Sequence, residues 1–368
     1  MGVFMGSRYY SLKNILSKNA DYNLIIGERS NGKTYACLKW GLEQYVNSDY
    51  KKQFAYIRRW HDDIIGKRAE VVFNALITNN EVYKITKGKY SNIKYYNGKY
   101  FLANYDDKEK KFIADTKPFC FNFALSDMEH DKSTSYPDID NIIFDEFITR
   151  KYYLTDEFII FMNVLSTIIR DRKINKIFMC GNTVNKYNPY FEEFGIKNNV
   201  KQGCIDVYKF GENDLTLAIE YCEESKGIKN KSNTYFAFNN AKLNMIKGGK
   251  WELDFYPHLR ENQRINFEKD CLFSFYVVFD NQIIQGDIIQ NEDLFLFFHK
   301  KTTPIKEKNA LIYSLNIDTN FYHRKNILRN VDKLDKKIFY FFATEKVFYQ
   351  SNDIGETIHN YLMNCVKH

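Results

Sequence analysis

The chain of 368 residues reads as an α/β protein, with a mostly parallel sheet covered by helices and a smaller α+β domain after it. Three observations predict this. Through the first half, apolar strand-like runs alternate with stretches that are apolar at helical spacing, the pattern of strands joined by crossover helices. A glycine-bearing segment, Gly27-Glu28-Arg29-Ser30-Asn31-Gly32-Lys33-Thr34, lies between an apolar run and an amphipathic stretch, where a strand-to-helix turn belongs. From Leu272 the pattern changes to closely spaced strands followed by two helical stretches.

Taken in order, Tyr22-Asn23-Leu24-Ile25-Ile26 suits a buried strand, and Tyr35 to Trp40 continues as an amphipathic helix. Phe54 to Arg59 is the next strand, and Ile64 to Leu76 is helical in spacing. Residues 81–104 read as two or three short strands, a β insertion with a hairpin turn at Asn97-Gly98. Phe119 to Ala124 and Asn141 to Phe144 are further strands. Phe158, Phe161, Met162, Leu165, Ile168 and Ile169 recur at helical spacing within Thr155 to Asp171, and Lys176 to Cys180 is another buried strand. Residues 206–265, with their polar Gly/Lys loops, read as a linker or small helical element. Beyond it come strands at Phe273–Phe279, Ile283–Ile289 and Leu294–His299, with a turn at Asp280-Asn281, then helices near Arg324–Leu334 and Ile354–Val366. The expected domains are therefore 1–205, a linker element over 206–265, and 266–368.

Charge and composition narrow the function classes. The net charge of +7, from 53 Lys+Arg against 46 Asp+Glu, permits a polyanionic partner without demanding one. Lysines that merely keep an aromatic-rich chain in solution would give the same balance. With 28 Tyr, 31 Phe and 5 Pro, a large core is expected and a disordered chain is not. Seven cysteines, an odd number with no C-x-x-C pair, argue for a reducing compartment and against a disulfide framework or a cysteine zinc site. The seven histidines are scattered without ligand spacing, and no G-x-S-x-G elbow is present. The N-terminus lacks the apolar stretch of a signal peptide, and the absence of an 18-residue apolar run predicts no membrane span.

The chemistry centres on Gly27–Thr34, a complete G-x-x-x-x-G-K-[ST] loop. Gly27 and Gly32 let the backbone curl, and the N–H groups from Arg29, Ser30, Asn31 and their neighbours then point at a triphosphate, at the start of a helix whose dipole favours anions. Lys33 can reach the β- and γ-phosphates, and Thr34 offers a hydroxyl to Mg²⁺. ATP and Mg²⁺ are the expected ligands. Asn141-Ile142-Ile143-Phe144-Asp145-Glu146 is an apolar strand ending in two acids, with Asp145 suited to the Mg²⁺ sphere and Glu146 to polarising the attacking water. Asn182 follows the Lys176–Cys180 strand, where parallel sheets gather ligands. It could sense the γ-phosphate or be a plain turn residue. Arg170 and Arg172 follow the 155–169 helix. Either could be the arginine that a multimeric ATPase borrows from its neighbour, or an ordinary basic residue that suits a helix end. Lys132 and the pair Arg58-Arg59 carry the same ambiguity, with solvation the default.

At this point the residues resemble the phi29-like phage DNA-packaging ATPases, small terminase-type motors of the additional-strand P-loop class. The likeness lies in Ile26 to Tyr35, Tyr56-Ile57-Arg58-Arg59, Tyr136-Pro137 leading into Ile143-Phe144-Asp145-Glu146-Phe147-Ile148, Arg170-Asp171-Arg172, and Gly181-Asn182 through Asn188-Pro189-Tyr190-Phe191. It is good over about residues 20–195 and mostly architectural beyond 205. The resemblance implies a P-loop NTPase of the additional-strand class, acting as a homo-oligomeric ring, a pentamer by family likeness, that drives double-stranded DNA into a preformed procapsid. The portal, and a packaging RNA in some members, would be its partners, with no membrane. It would work in the host cytoplasm and transiently at the portal vertex. Arg29 becomes the family's P-loop arginine, Arg170 the finger supplied in trans, and Lys132 an interface lysine. The C-terminal domain becomes RNase H-like without its nuclease acids. Asp280 and Asp287 could mimic such acids, but no third and fourth partner is evident, and two-metal cleavage needs a cluster. Two other readings use the same motifs: a HerA- or FtsK-like DNA pump or helicase, and a non-enzymatic nucleic-acid-binding assembly protein with ATP as a structural clamp. The Asp145-Glu146 pair argues against the clamp, which has no need of the second acid.

Overall fold

The structure, a computed structural model, describes residues 10–127, 135–149, 152–170, 172, 174–196, 201–211, 215–223, 255–259, 265–315, 323–324, 326–329 and 332–367. The chain divides into two compact units, residues 1–252 and 253–368.

The first unit is built on one sheet of ten strands: β1 (Tyr22–Gly27), β2 (Gln53–Arg58), β3 (Asn92–Tyr96), β4 (Lys99–Asp106), β5 (Lys111–Ala114), β6 (Cys120–Ala124), β7 (Ile139–Asp145), β8 (Lys176–Asn182), β9 (Ile205–Phe210) and β10 (Leu215–Tyr221). Their order is β3-β4-β6-β2-β7-β8-β1-β10-β9, with β5 pairing β4. The six strands from β6 to β10 in that order are mutually parallel. Antiparallel strands close both sides.

Parallel strands are buried on both faces, which is why β1 and β7 read as near-continuous apolar runs. Period-two alternation divides their side chains between two cores. Leu24, Ile26, Ile57, Phe144, Met179 and Ile219 face the Glu157–Ile169 helix, through Phe161, Val164, Leu165 and Ile168. Ile25, Phe54, Tyr56, Ile143 and Phe178 face the Lys33–Asn47 helix, through Cys37, Leu38, Leu42 and Tyr45. Each such side chain is worth roughly 1.5–3 kcal/mol when fully buried. A surface pair such as Lys39–Glu81, 2.8 Å apart, adds at most about 1 kcal/mol. The two apolar layers therefore hold the sheet.

Three expectations change in this unit. The helical stretch expected from Ile64 to Leu76 is two short helices, Gly66–Glu70 and Asn74–Thr78. Glu81–Ile85 is a helix, because Val82 and Ile85, three apart, both pack into the core beside the Lys33–Asn47 helix. The strands that follow extend the main sheet through the β4–β6 pairing. The linker expected over 206–265 also gives way. Its first part is β9 and β10, with β10 covering the edge of β1 in the register Tyr22↔Leu217 to Ile26↔Tyr221. Leu217, Ala218 and Ile219 are fully buried there, so this segment completes the first unit. Most of the expected linker beyond residue 223 lies outside the described residues.

The second unit has a six-stranded sheet of β11 (Cys271–Phe279), β12 (Gln282–Gln290), β13 (Leu294–Lys300), β14 (Ile312–Ser314), β15 (His323–Arg324) and β16 (Val347–Tyr349), in the order β15-β14-β11-β12-β13-β16. β11 to β13 form an antiparallel meander, continued in parallel by β14 and β15. That is the arrangement of an RNase H-like sheet. The helices Lys333–Ala343 and Asn352–Lys367 contribute to its core with Ile338, Phe341, Ile358 and Tyr361. The first of them starts later than the sequence suggested, because Asp332 and Asp335 form a reciprocal capping box. β14, β15 and β16, two or three residues each, are too short to show a period.

Candidate functional site

β1 ends at Gly27, and the helix Lys33–Asn47 starts six residues later. Between them Ser30 and Gly32 take left-handed backbone conformations, φ +62° and +94°. Gly32 forms the N-cap of the helix there, a geometry that a residue with a Cβ adopts only under strain. The curl closes around Lys33. Its ammonium donates to the carbonyls of Glu28 at 2.6 Å and Gly27 at 3.3 Å, to Asn31 Oδ1 at 3.1 Å and to Asn182 Oδ1 at 3.4 Å. Burial lowers the Lys33 pKa, and nearby anionic groups including Asp145 and Glu28 oppose that only in part.

The second wall is the end of β7. β8 lies between β7 and β1, so the acids stand one strand away from the loop. Asp145 is nearly buried. Its Oδ1 accepts from Thr34 Oγ1 at 2.7 Å and from the Glu146 N–H at 3.1 Å. Its Oδ2 accepts from Tyr56 OH at 3.0 Å and from Arg58 Nη1 at 3.4 Å. Glu146 turns out of the sheet with a left-handed backbone, φ +58°. Its carboxylate is half exposed and accepts from Arg58 Nη2 at 2.7 Å. Loop and acids line one open cleft of about 570 Å³, with Arg29, Ser30, Gly181 and Asn182 also on its walls.

The donor set fits a magnesium nucleotide. A left-handed loop with a central ammonium suits phosphate oxygens. A hydroxyl and a carboxylate oxygen 2.7 Å apart are the hard oxygen ligands that Mg²⁺ takes. A second carboxylate beside them is suited to holding a water.

The structure thus brings Gly27, Arg29, Ser30, Asn31, Gly32, Lys33, Thr34, Asp145, Glu146 and Asn182 to one site. Arg170 lies elsewhere. It ends the Glu157–Ile169 helix, which leads from the end of β7 back toward the start of β8, at the opposite end of the strands. Thirteen residues of helix span about 20 Å, so Arg170 is exposed far from its own chain's loop. Arg172 is bound locally, donating to the carbonyls of Tyr136, Pro137, Ile139 and Ile168 at 2.7–3.0 Å. Lys132 lies outside the described residues.

Solvation, the default for Arg58 and Arg59, is overturned. Arg58 bonds Asp145 and Glu146, and Arg59 is buried against Glu157. Tyr56 belongs to the segment that carries the family likeness, but its bond to Asp145 is not predicted by the sequence. The available signal was position: a Tyr-x-Arg-Arg segment ending a parallel strand falls where ligands gather. In the second unit Asp287 is bonded within its own sheet, by Ser274, Gln285 and His299. Among the described residues no group of three or more His, Cys, Asp or Glu is placed to hold a metal ion.

A parallel sheet with this loop at the end of one strand, acids at the end of another, and one strand inserted between them defines a P-loop NTPase fold of the additional-strand class. The chain belongs to the family of Podovirus DNA encapsidation proteins (Gp16), which its residues 5–245 match. It is 28% identical over 223 residues to the DNA packaging protein of Bacillus phage phi29, covering 60% of each chain. To the DNA packaging protein of Bacillus phage B103 it is 27% identical over 220 residues, 58% of this chain and 60% of that one. The match thus spans about 60% of the length of these relatives. Two solved structures share the fold over nearly the whole chain. The bacteriophage phi29 viral genome packaging motor assembly has a TM-score of 0.55 at 18% identity, covering 98% of this chain and 99% of that one. The phi28 gp11 DNA packaging motor has 0.52 at 19%, covering 99% of each. No described helix is long and apolar enough to cross a membrane.

Proposed function

We propose that the protein is an ATP-hydrolysing ring motor that moves double-stranded viral DNA into a preformed procapsid. The observation that carries the proposal is the Thr34–Asp145 contact at 2.7 Å, which joins the phosphate loop to the acidic strand in a member of a DNA encapsidation family.

In this reading the backbone from Gly27 to Thr34, with Arg29, Ser30 and Asn31, cradles the phosphates. Lys33 exchanges its loop carbonyls and Asn182 for β- and γ-phosphate oxygens. Thr34 and Asp145 would hold Mg²⁺, which when bound would neutralise charge on the phosphoryl oxygens. Glu146 orients the attacking water and accepts its proton, a contribution of about 10²–10⁴ in rate. Asn182, at the tip of β8, reports γ-phosphate to the strand between loop and acids. Arg170 is too far from its own loop to act there. Its position suits an arginine lent to the neighbouring subunit of a ring, and the ring in turn suits a motor seated at the procapsid portal, with a packaging RNA as a further partner. The second unit serves as a grip on nucleic acid or the portal, without cleavage.

The test is ATP hydrolysis by the full chain with and without double-stranded DNA, then DNA protection from nuclease when empty procapsids are added. DNA-stimulated hydrolysis and procapsid-dependent protection are expected. Hydrolysis indifferent to DNA, or equal DNA movement without procapsids, would defeat the proposal.

A further inference from the structure

Arg59 follows β2 and is buried, with 5% of its surface exposed. Its guanidinium grips both oxygens of Glu157, Nε to Oε2 at 2.7 Å and Nη2 to Oε1 at 2.9 Å. The same group caps the two carbonyls with which the acidic strand leaves the sheet: Nη1 donates to Glu146 O at 3.1 Å and Nη2 to Phe147 O at 2.7 Å. The Tyr153 ring lies under it, 5.0 Å from the guanidinium carbon. Glu157 is anchored in turn. It is 2% exposed, opens the Glu157–Ile169 helix, and accepts from Tyr190 OH at 2.7 Å and the Leu154 N–H at 2.8 Å.

The residue being clamped has the unusual backbone. Glu146, at φ +58°, is in a conformation that a residue with a Cβ keeps only where its surroundings over-determine it. Its N–H is held by Asp145 Oδ1 and the next N–H by the Cys180 carbonyl. Arg59 supplies the matching hold on both carbonyls.

We propose that Arg59 is a positioning residue for ATP hydrolysis: it locks the left-handed turn at Glu146 to the Glu157 anchor and so aims the Glu146 carboxylate into the cleft. This rests on the reading of Glu146 as the group that activates water. It has a consequence for the ring. Glu157 begins the helix that ends at Arg170, so one buried ion pair ties the water-activating group of a subunit to the arginine it lends its neighbour. Lysine cannot replace Arg59, because a point charge lacks the planar fork that serves a carboxylate and two carbonyls at once.

The test uses the full chain and three variants: Arg59→Lys, the paired Arg59→Met with Glu157→Leu, and Glu146→Gln. The pair leaves no lone buried charge, which protects the fold, and thermal melting checks it. ATP affinity and single-turnover hydrolysis are read separately. Displacing the catalytic group by about an ångström predicts a loss of about 100-fold in hydrolysis for both Arg59 variants. ATP affinity should stay within about threefold. Adding the paired change to Glu146→Gln should cost nothing further, since both act through one carboxylate. A folded pair variant with wild-type hydrolysis overturns the inference, and so does a full further loss on top of Glu146→Gln. Wild-type hydrolysis by Glu146→Gln itself would instead strike the reading of Glu146, and the Arg59 inference with it.

Discussion

Arg58 Nη2 lies 2.7 Å from Oε2 of Glu146, so the carboxylate facing the cleft is held by an arginine of its own chain. The same guanidinium reaches Asp145 Oδ2 at 3.4 Å and Asp63 Oδ2 at 3.5 Å. A carboxylate oxygen already engaged by a guanidinium at this distance has fewer lone pairs to offer a water. If Glu146 holds the attacking water as proposed, that water and Arg58 compete for the same carboxylate, and Arg58 would act as a brake on the site.

Arg58→Ala should raise DNA-independent ATP turnover and shrink the stimulation by DNA. The pair is partly exposed, so its opening is worth at most about 1 kcal/mol, or about fivefold in rate. Steady-state hydrolysis with and without DNA reads this directly. An unchanged ratio between the two would rule out the brake.

Glu146→Gln should separate binding from chemistry. The amide cannot take the water proton, and the predicted loss in hydrolysis is about 10²–10⁴. Thr34, Asp145 and Lys33 are untouched, so nucleotide should still bind, as equilibrium dialysis would detect. Thr34→Ala removes one partner of the 2.7 Å contact with Asp145 and should instead raise the Mg²⁺ concentration needed for hydrolysis.

Arg170→Ala and Lys33→Ala chains should each be inactive alone and partly active when mixed. At an interface where an Arg170→Ala subunit supplies the loop and a Lys33→Ala subunit supplies the arginine, one complete site forms. Loss of a finger arginine typically costs about 10³–10⁵ in rate, so restored turnover stands out above either parent. No restoration in mixed rings would refute action in trans.

In the second unit, Asp287 accepts from Ser274 Oγ at 2.6 Å, Gln285 Nε2 at 2.8 Å and His299 Nε2 at 2.8 Å. Burial pushes its carboxyl up, but these hydrogen bonds outweigh burial and hold it below the usual carboxylate range. Its stabilising contribution is present above the unfolded value of about 3.9 and is lost as the pH falls through the lower folded value. Asp287→Asn should therefore destabilise this unit by about 1–3 kcal/mol at pH 7, and by progressively less below about pH 4. Denaturant melts at pH 7 and pH 3 compare the two. An equal deficit at both would exclude the ionic account.

Gly27–Thr34 was legible because its chemistry is local: eight consecutive residues carry the curl, the ammonium and the hydroxyl. The Ile143-Phe144-Asp145-Glu146 strand end was legible for the same reason. Arg58 and Arg59 were not. Their partners at the site, Asp145, Glu146 and Glu157, lie 87 to 98 positions away, and nothing in a Tyr-Ile-Arg-Arg run says which strand will stand beside it. β9 and β10 are hidden in a stretch whose polar Gly/Lys loops read as linker, although β10 itself alternates, with Leu215, Leu217, Ile219 and Tyr221 two apart. β9 alternates only between half-buried and exposed residues at the sheet edge. β10 is buried mainly through Leu217, Ala218 and Ile219.

The sequence by itself determined which groups could bind a triphosphate and where the two acids would lie along the chain, since backbone curling and strand formation are decided by neighbouring residues. The tertiary structure alone decided who faces whom. Parallel pairing of β2 with β7, Ile57 opposite Phe144, sets Arg58 beside Asp145 and Glu146 and sends Arg59 under the turn that follows. Strand order is a long-range outcome of burying two apolar faces, and no short stretch of residues encodes it.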